Sequence, residues 1–269
     1  MPDETSRLQM AFEKIGRRRD NPIVKQAVRA AHGLVRGYEG GAALRNIESN
    51  GEARVLEKLG PTLDVVLDVG ANVGDWTATA LRAGAKAVHS FEISPATSSG
   101  LTKRYVGDSR VTVNQFGLSH APGTVTIHHY PDYPALTTMT EYPHDAKSVA
   151  VDVPVRTGDS YLADSGIEKV DLLKMDVEGA EGLVIQGFKE SFARKAIRAV
   201  QFEYGRVSIL TKYLLRDFYE DLTKHGFTVG RITDTGVTFT PYDMSMERFN
   251  DSNWLAVHES QPQLVDLVI

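Results

Sequence analysis

Between residues 61 and 260 the chain alternates two hydrophobic rhythms. Short, mainly apolar runs fall at Asp64–Val69 (DVVLDV), Ala87–Phe91 (AVHSF), 110–114, Val170–Met175 (VDLLKM) and 197–203. Helix-compatible stretches lie between them, after Gly74 and near 95–105, 179–190 and 213–225. Strands alternating with helices in this way predict a parallel sheet with right-handed crossovers and helices on both faces. Ahead of Pro61 the pattern is helical from about residue 5. Leu8, Phe12 and Ile15, then Ile23, Val24, Ala27, Val28, Ala31, Leu34 and Val35, recur at helical spacing. Asn21-Pro22 starts the second of these helices, with a capping side chain followed by Pro at the first helical position.

Two regions break the alternation. Gly117–Tyr130 carries Ala-Pro-Gly between apolar runs and reads as a hairpin. Tyr133–Ser148 is turn-rich, with Thr137, Thr138 and Thr140 clustered, and reads as a loop beside the active site. From Phe227 onward the apolar runs 227–229, 237–239 and 254–257 read as antiparallel. The expected division is a helical extension over 1–60, an α/β domain over 61–260 and a tail over 261–269.

Composition narrows the chemistry. There is no cysteine among the 269 residues, which excludes disulfide scaffolds, thiolate metal sites and thiol nucleophiles and fits a reducing compartment. Lys and Arg number 30 against 35 Asp and Glu, a net charge of −5 that argues against general binding of nucleic acid. The cluster Lys14, Arg17, Arg18, Arg19 reads as a solvated helix face, with contact to an anionic partner as its alternative. No apolar run reaches the ~18–20 residues of a membrane span, and the N-terminus lacks the apolar core of a secretory signal. The expected setting is cytoplasmic.

The first strand ends in Asp68-Val69-Gly70-Ala71-Asn72-Val73-Gly74. Gly70 allows a sharp turn and close backbone approach to a ligand, and the helix that follows presents free N–H groups. The spacing is not Gly-x-Gly-x-x-Gly, which counts against a nicotinamide or flavin site. Some 20 residues on, the second strand ends at Phe91-Glu92, placing an acid where it can accept both hydroxyls of a ribose. A second acidic cluster follows: Asp176, Glu178 and Glu181 close the strand Val170–Met175, and Glu203 closes the next. Carboxylates converging on the ligand edge of a parallel sheet raise one another's pKa or share a cation. Glu181 also suits a first-turn role in the following helix, and Glu203 equally suits a cap.

Together DVGANVG, FE, LLKMDVEGAE, FEY and the C-terminal NWLAV resemble the FkbM family of S-adenosylmethionine-dependent methyltransferases, from about Val65 to Val257. The resemblance implies the class I, Rossmann-like methyltransferase fold, a seven-stranded mostly parallel sheet with its last strand antiparallel, here preceded by an N-terminal helical cap. It also implies methyl transfer from S-adenosylmethionine to a hydroxyl of a sugar, glycan or polyketide-like natural product. Many relatives have Pro directly after the strand-two acid, whereas here Ile93 and Ser94 precede Pro95.

The cofactor residues expected on this reading are Asp68, Gly70, Ala71, Asn72, Gly74, Asp75, Glu92, Asn114, Gln115, Phe116 and Asp176. The residues after the third strand, Asn114 to Phe116, lie where the adenine ring would be held, with Phe116 equally suited to stack on it or to belong to the core. Methyl transfer needs no enzyme nucleophile, only alignment of the reacting atoms and removal of the hydroxyl proton. Asp176, Glu178 and Glu203 are the expected catalytic residues, with Asp176 and Glu203 as ligands if Mg²⁺ takes part. His120, His128, His129 and His144 are weaker candidates for the base, since neighbours on a strand face opposite ways. The expected partner is a small-molecule or glycan acceptor, and the sequence allows a homo-oligomer. The N-terminal helices and the Tyr133–Ser148 loop are expected on the acceptor side. A dinucleotide-dependent oxidoreductase and a catalytically silent binding module are the alternatives.

Overall fold

The computed structural model describes residues 13–38, 46–130, 137–139 and 147–269. Backbone contacts divide the chain into two units, Met1–Ala43 and Leu44–Ile269. In the first unit, helix α1 spans Pro22–Tyr38. It starts where Asn21-Pro22 predicts, and the Asn21 side-chain oxygen accepts from the backbone N–H of Ile23 at 2.9 Å.

The second unit begins with helix α2 (Glu52–Leu59) and is built on an eight-stranded sheet. Its elements are β1 (Val65–Val69), α3 (Asp75–Ala83), β2 (Ala87–Phe91), α4 (Pro95–Arg104), β3 (Val111–Asn114) and, after a smaller sheet, β7 (Val170–Met175) and β8 (Ile197–Tyr204). The strands β9 (Phe227–Thr233), β10 (Gly236–Phe239) and β11 (Ser252–His258) complete it, in the order β3-β2-β1-β7-β8-β11-β9-β10. From β3 to β8 all neighbours are parallel, and β11 inserts antiparallel between β8 and β9. This is the class I methyltransferase arrangement, with the last strand antiparallel as expected. The eighth strand, β10, extends the edge through a hairpin with β9.

Alternation along the strands sorts the core into two layers. Val66 and Leu172 pack on one face with Leu56, Leu59 and Leu255, while Leu67 and Leu173 pack on the other with Phe188, Phe202 and Phe218. Helix α2, placed by sequence in the extension, buries Val55, Leu56 and Leu59 in the first of these layers, so the division falls at 43/44 rather than 60. The expected tail forms helix α10 (Pro262–Val268), and its Leu264 and Val268 close the same layer. Among the described residues no helix is long and apolar enough to cross a membrane.

The smaller sheet has three strands, β4 (Gly117–Leu118), β5 (Gly123–His129) and β6 (Val149–Arg156), in the order β4-β6-β5. The hairpin expected across Ala-Pro-Gly is not formed. Instead β6 lies between the two, parallel to β4 and antiparallel to β5. The reason is the period-two valine series of β6, which buries Val153 and Val155 and offers both edges for pairing. Helix α5 (Gly158–Asp164) leads from it to β7, and α6 (Glu181–Gly187), α7 (Lys189–Ala193), α8 (Val207–Thr211) and α9 (Leu215–Thr223) complete the second unit.

Candidate active site

The site forms where β1, β2, β7 and β8 end. Gly70 turns the chain out of β1 with φ +82°, and a Cβ there would lie 1.8 Å from the carbonyl oxygen of Asp176, so only glycine fits. The turn is tied to β2 by the N–H groups of Gly70 and Ala71, which donate to the Phe91 carbonyl at 3.0 and 2.9 Å. Glu92 lies just beyond, buried, with Oε2 accepting from the Asn72 N–H and Oε1 from the Ser94 N–H, each at 2.8 Å. Burial raises its pKa, and the two amides and Lys174 act against that rise. Each oxygen keeps a lone pair for a ligand hydroxyl. Asn72 is held in left-handed backbone (φ 48°), and its buried Oδ1 has no hydrogen-bond partner.

Beneath this turn runs a buried polar row, Ser90–Asp68–Lys174–Gln201, one residue from each of four adjacent strands. Asp68 accepts from the Thr77 hydroxyl at 2.6 Å and pairs with Lys174 Nζ at 3.1 Å. Lys174 also donates to the Gly70 carbonyl at 3.0 Å and lies 3.6 Å from Asp176. Burial alone would lower the lysine's pKa, but Asp68, Asp176 and Glu52 hold it above its usual value. The ammonium thus joins the end of β1, the glycine turn and the end of β7.

At the second edge Asp176, Glu178 and Glu203 present oxygens all within 4.8 Å of one another. Glu178 is pushed up to about 9, by burial first and then by Asp176, Glu181 and Asp251. Glu203 is raised well above the carboxylate range by burial and then by Asp176 and Glu178. Three carboxylates in such a space require a shared proton or a cation. Glu181 plays a different part. Its Oε1 accepts from the N–H groups of Val177 and Gly179 at 2.9 and 3.3 Å, fixing the loop that carries Glu178. That loop is strained, with Glu178 itself at φ 52°. The Thr138 hydroxyl donates to the Glu178 carbonyl at 2.8 Å.

Both edges open into one cleft. Gly70, Asn72, Glu92, Asp176 and Glu178 line its polar side, and Ile93, Leu118, Ile127, Met139 and Val155 its apolar side. Of the sequence-expected cofactor residues, Asp68, Ala71, Gly74 and Asp75 lie behind the cleft rather than on it. Gly74 serves packing, because a Cβ would lie 2.6 Å from Leu101 and 2.8 Å from Tyr105. Asp75 pairs with Arg104 at 2.7 Å on the surface.

Asn114, Gln115 and Phe116 do not line the cleft either. The Asn114 amide donates to the Ser90 and Thr112 carbonyls and to Tyr161, and Gln115 donates to Thr102. Phe116 packs edge-on against Phe91 at 5.7 Å between ring centroids. Their places are taken by Gly117, Leu118, Ile127 and Val155 of the smaller sheet, which sequence reasoning missed. The valine alternation of β6 was the available signal.

No histidine among the described residues lines the cleft. His129 Nδ1 stands 3.3 Å from the Ser94 hydroxyl and 3.2 Å from that of Thr137, while His120 is exposed beside Ser119. His128 pairs through its backbone with Thr138. His144 lies outside the described residues, as does most of the Tyr133–Ser148 loop. Of its described residues, Thr137, Thr138 and Met139 line the cleft.

Over 161 residues the chain is 28% identical to methyltransferase sdnD of Sordaria araneosa, a match covering 48% of this chain and 62% of that one. A crystal structure of methyltransferase FkbM from Methylobacillus flagellatus aligns with a TM-score of 0.45 at 17% identity, covering 72% of this chain and 43% of that chain. Magnesium protoporphyrin IX methyltransferase from Synechocystis PCC 6803, solved with bound SAM, aligns with a TM-score of 0.41 at 12% identity, covering 78% of this chain and 80% of that chain. The chain therefore spans less than two thirds of the length of the curated relative it matches. Residues 68–228, more than half the chain, match the methyltransferase FkbM domain, and the protein belongs to that family.

Proposed function

We propose that the protein is an S-adenosylmethionine-dependent O-methyltransferase acting on a hydroxyl of a sugar, glycan or polyketide-like natural product, in the cytoplasm. The observation that carries this reading is the single cleft on which Glu92 and the Asp176–Glu178 edge both open. One end suits a nucleoside and the other suits a group that must lose a proton.

The residues fit the cofactor. Glu92 has a free lone pair on each oxygen for the ribose hydroxyls, and Gly70 lets the two loops that line the cleft meet. The orphaned Asn72 Oδ1 is an acceptor awaiting a donor on the ligand. When bound, S-adenosylmethionine supplies a methyl group already activated by its sulfonium. The protein's task is to hold the acceptor oxygen in line with that methyl and to take the hydroxyl proton. A carboxylate oxygen of the Asp176–Glu178–Glu203 cluster receives the proton, so the cluster gains one hydrogen as the acceptor gains a methyl group. Asp176 and Glu203 would also hold Mg²⁺, which would lower the pKa of a bound hydroxyl. Crowding of three carboxylates within 4.8 Å supports a cation or a shared proton at this point.

A labelled-methyl assay on extract, with mass spectrometry of the labelled product, tests the reaction and identifies the acceptor. Calorimetry with S-adenosylmethionine and with NAD tests the cofactor. Binding of NAD alone would overturn the reading.

A further inference from the structure

Helix α1 has two faces, and among the described residues of its own unit no other element packs on either. Ile23, Val24, Ala27, Val28, Ala31 and Leu34 follow helical spacing and form a continuous apolar stripe. Within the stripe Ile23 is exposed to 77% and Leu34 to 76%. The opposite face carries Lys25, Gln26, Arg29 and His32, all exposed. No acidic residue occurs anywhere in the helix. Just before it lie Lys14, Arg17, Arg18 and Arg19, all exposed, against only Glu13 and Asp20. The whole chain carries −5, so the segment from 13 to 35 is a basic island on an acidic protein.

We infer that α1 and the basic turn before it form a docking surface for an anionic lipid membrane, with the helix lying in the plane of the interface. Charge and shape together select this occupant. An anionic bilayer surface offers acyl chains to the apolar stripe and headgroup phosphates to the cations at the same time. Lys and Arg side chains can bury their stems at the boundary and keep their charges among the headgroups. A second copy of α1 would cover the stripe but leave the outward Arg29 and His32 without an acidic partner in the helix, whereas an anionic surface answers both faces. The charged face also excludes a spanning role.

The test uses the full chain. It is floated with vesicles of phosphatidylcholine alone and with vesicles containing phosphatidylglycerol, at ~0.1 M and ~0.5 M salt. Binding is expected to the anionic vesicles only, at least ~tenfold weaker at the higher salt, where the screening length falls below the charge spacing. Val28→Glu/Leu34→Glu should remove binding, and Arg17→Ala/Arg18→Ala/Arg19→Ala should weaken it. Thermal unfolding of both variants, matched to the parent, shows that the sheet unit is intact. Absence of binding to anionic vesicles overturns the inference, as does binding that survives Val28→Glu/Leu34→Glu. It is equally overturned if vesicle binding is absent and light scattering shows a dimer that this double variant dissociates, since the stripe then covers a second copy.

Discussion

Two glutamates, each just past the buried core of a parallel strand, meet opposite surroundings. Glu92, after β2, accepts one backbone amide on each oxygen, so its charge is solvated by the protein itself. Glu203, near the end of β8, faces Asp176 and Glu178 within 4.8 Å, and its pKa is driven up by burial and by those neighbours. The first edge is prepared to hold a neutral polar ligand, with two amides and Lys174 opposing the rise in pKa that burial causes. The second is prepared to gain or lose a proton, or to take a cation. The same residue type at equivalent places in one sheet is thus assigned to binding or to chemistry by what surrounds it.

The comparison breaks most decisively at Asp176. Asp176→Asn should cut methyl transfer by at least ~100-fold, whether the cluster holds a proton or a metal ion. S-adenosylmethionine affinity by calorimetry should change far less, and a fully active Asp176→Asn protein would remove the chemistry from this edge. At the other edge, Glu92→Gln should weaken S-adenosylmethionine binding by roughly ten- to a hundredfold through loss of charge-assisted hydrogen bonds. Unchanged calorimetry would end the ribose assignment. Chelation sharpens the second edge further. If Mg²⁺ sits between Asp176 and Glu203, turnover should vanish in EDTA and return with added Mg²⁺, whereas full activity in the chelator assigns the cluster to a shared proton.

The pH dependence of stability separates the edges without any assay of turnover. Glu178 is pushed up to about 9, and Glu181 and Glu52 to about 7, from an ordinary value of 4.5, burial being the first cause in each. The folded protein therefore holds protons that the unfolded chain releases above 4.5, and it loses stability as pH rises from there through 7 to about 9. The Tm should fall by several degrees over that window, and Glu178→Gln should flatten the upper part of the decline. The smallest expected effect is at Thr138. Thr138→Val removes one hydrogen bond to the strained Glu178 carbonyl, worth about 1 kcal/mol, so turnover should fall several-fold with cofactor affinity unchanged. Recovery in Thr138→Ser would tie the loss to the hydroxyl.

What the sequence disclosed follows the local physics. The buried strands β1, β2, β7 and β8 are near-continuous apolar runs, and each ends in the acid or glycine that a ligand edge needs, so sheet and carboxylates were readable. Lys174 was not, because a lysine inside a strand gives no sign of its partners. Only the register across four strands shows that it answers Asp68 and Asp176. The smaller sheet was missed for a related reason. Ala-Pro-Gly is a sound local turn signal, yet the pairing of β4 and β5 is decided by β6, which arrives twenty residues after β5 ends. Of the two parts open to Phe116, stacking on the ligand or packing in the core, its ring contacts with Phe91 and Tyr161 favour the second.

The contact between Gly70 and the Asp176 carbonyl bears on how such a protein can diverge. Because a single methyl group at residue 70 would collide with the main chain at 176, the two loops cannot vary independently. The opposite wall of the cleft is formed by Ile93, Leu118, Ile127, Met139 and Val155, where a change of side chain changes the shape of the space. New acceptors are therefore open to descent, and to engineering, through substitutions on the apolar wall, while the junction of the two loops is inherited as one piece.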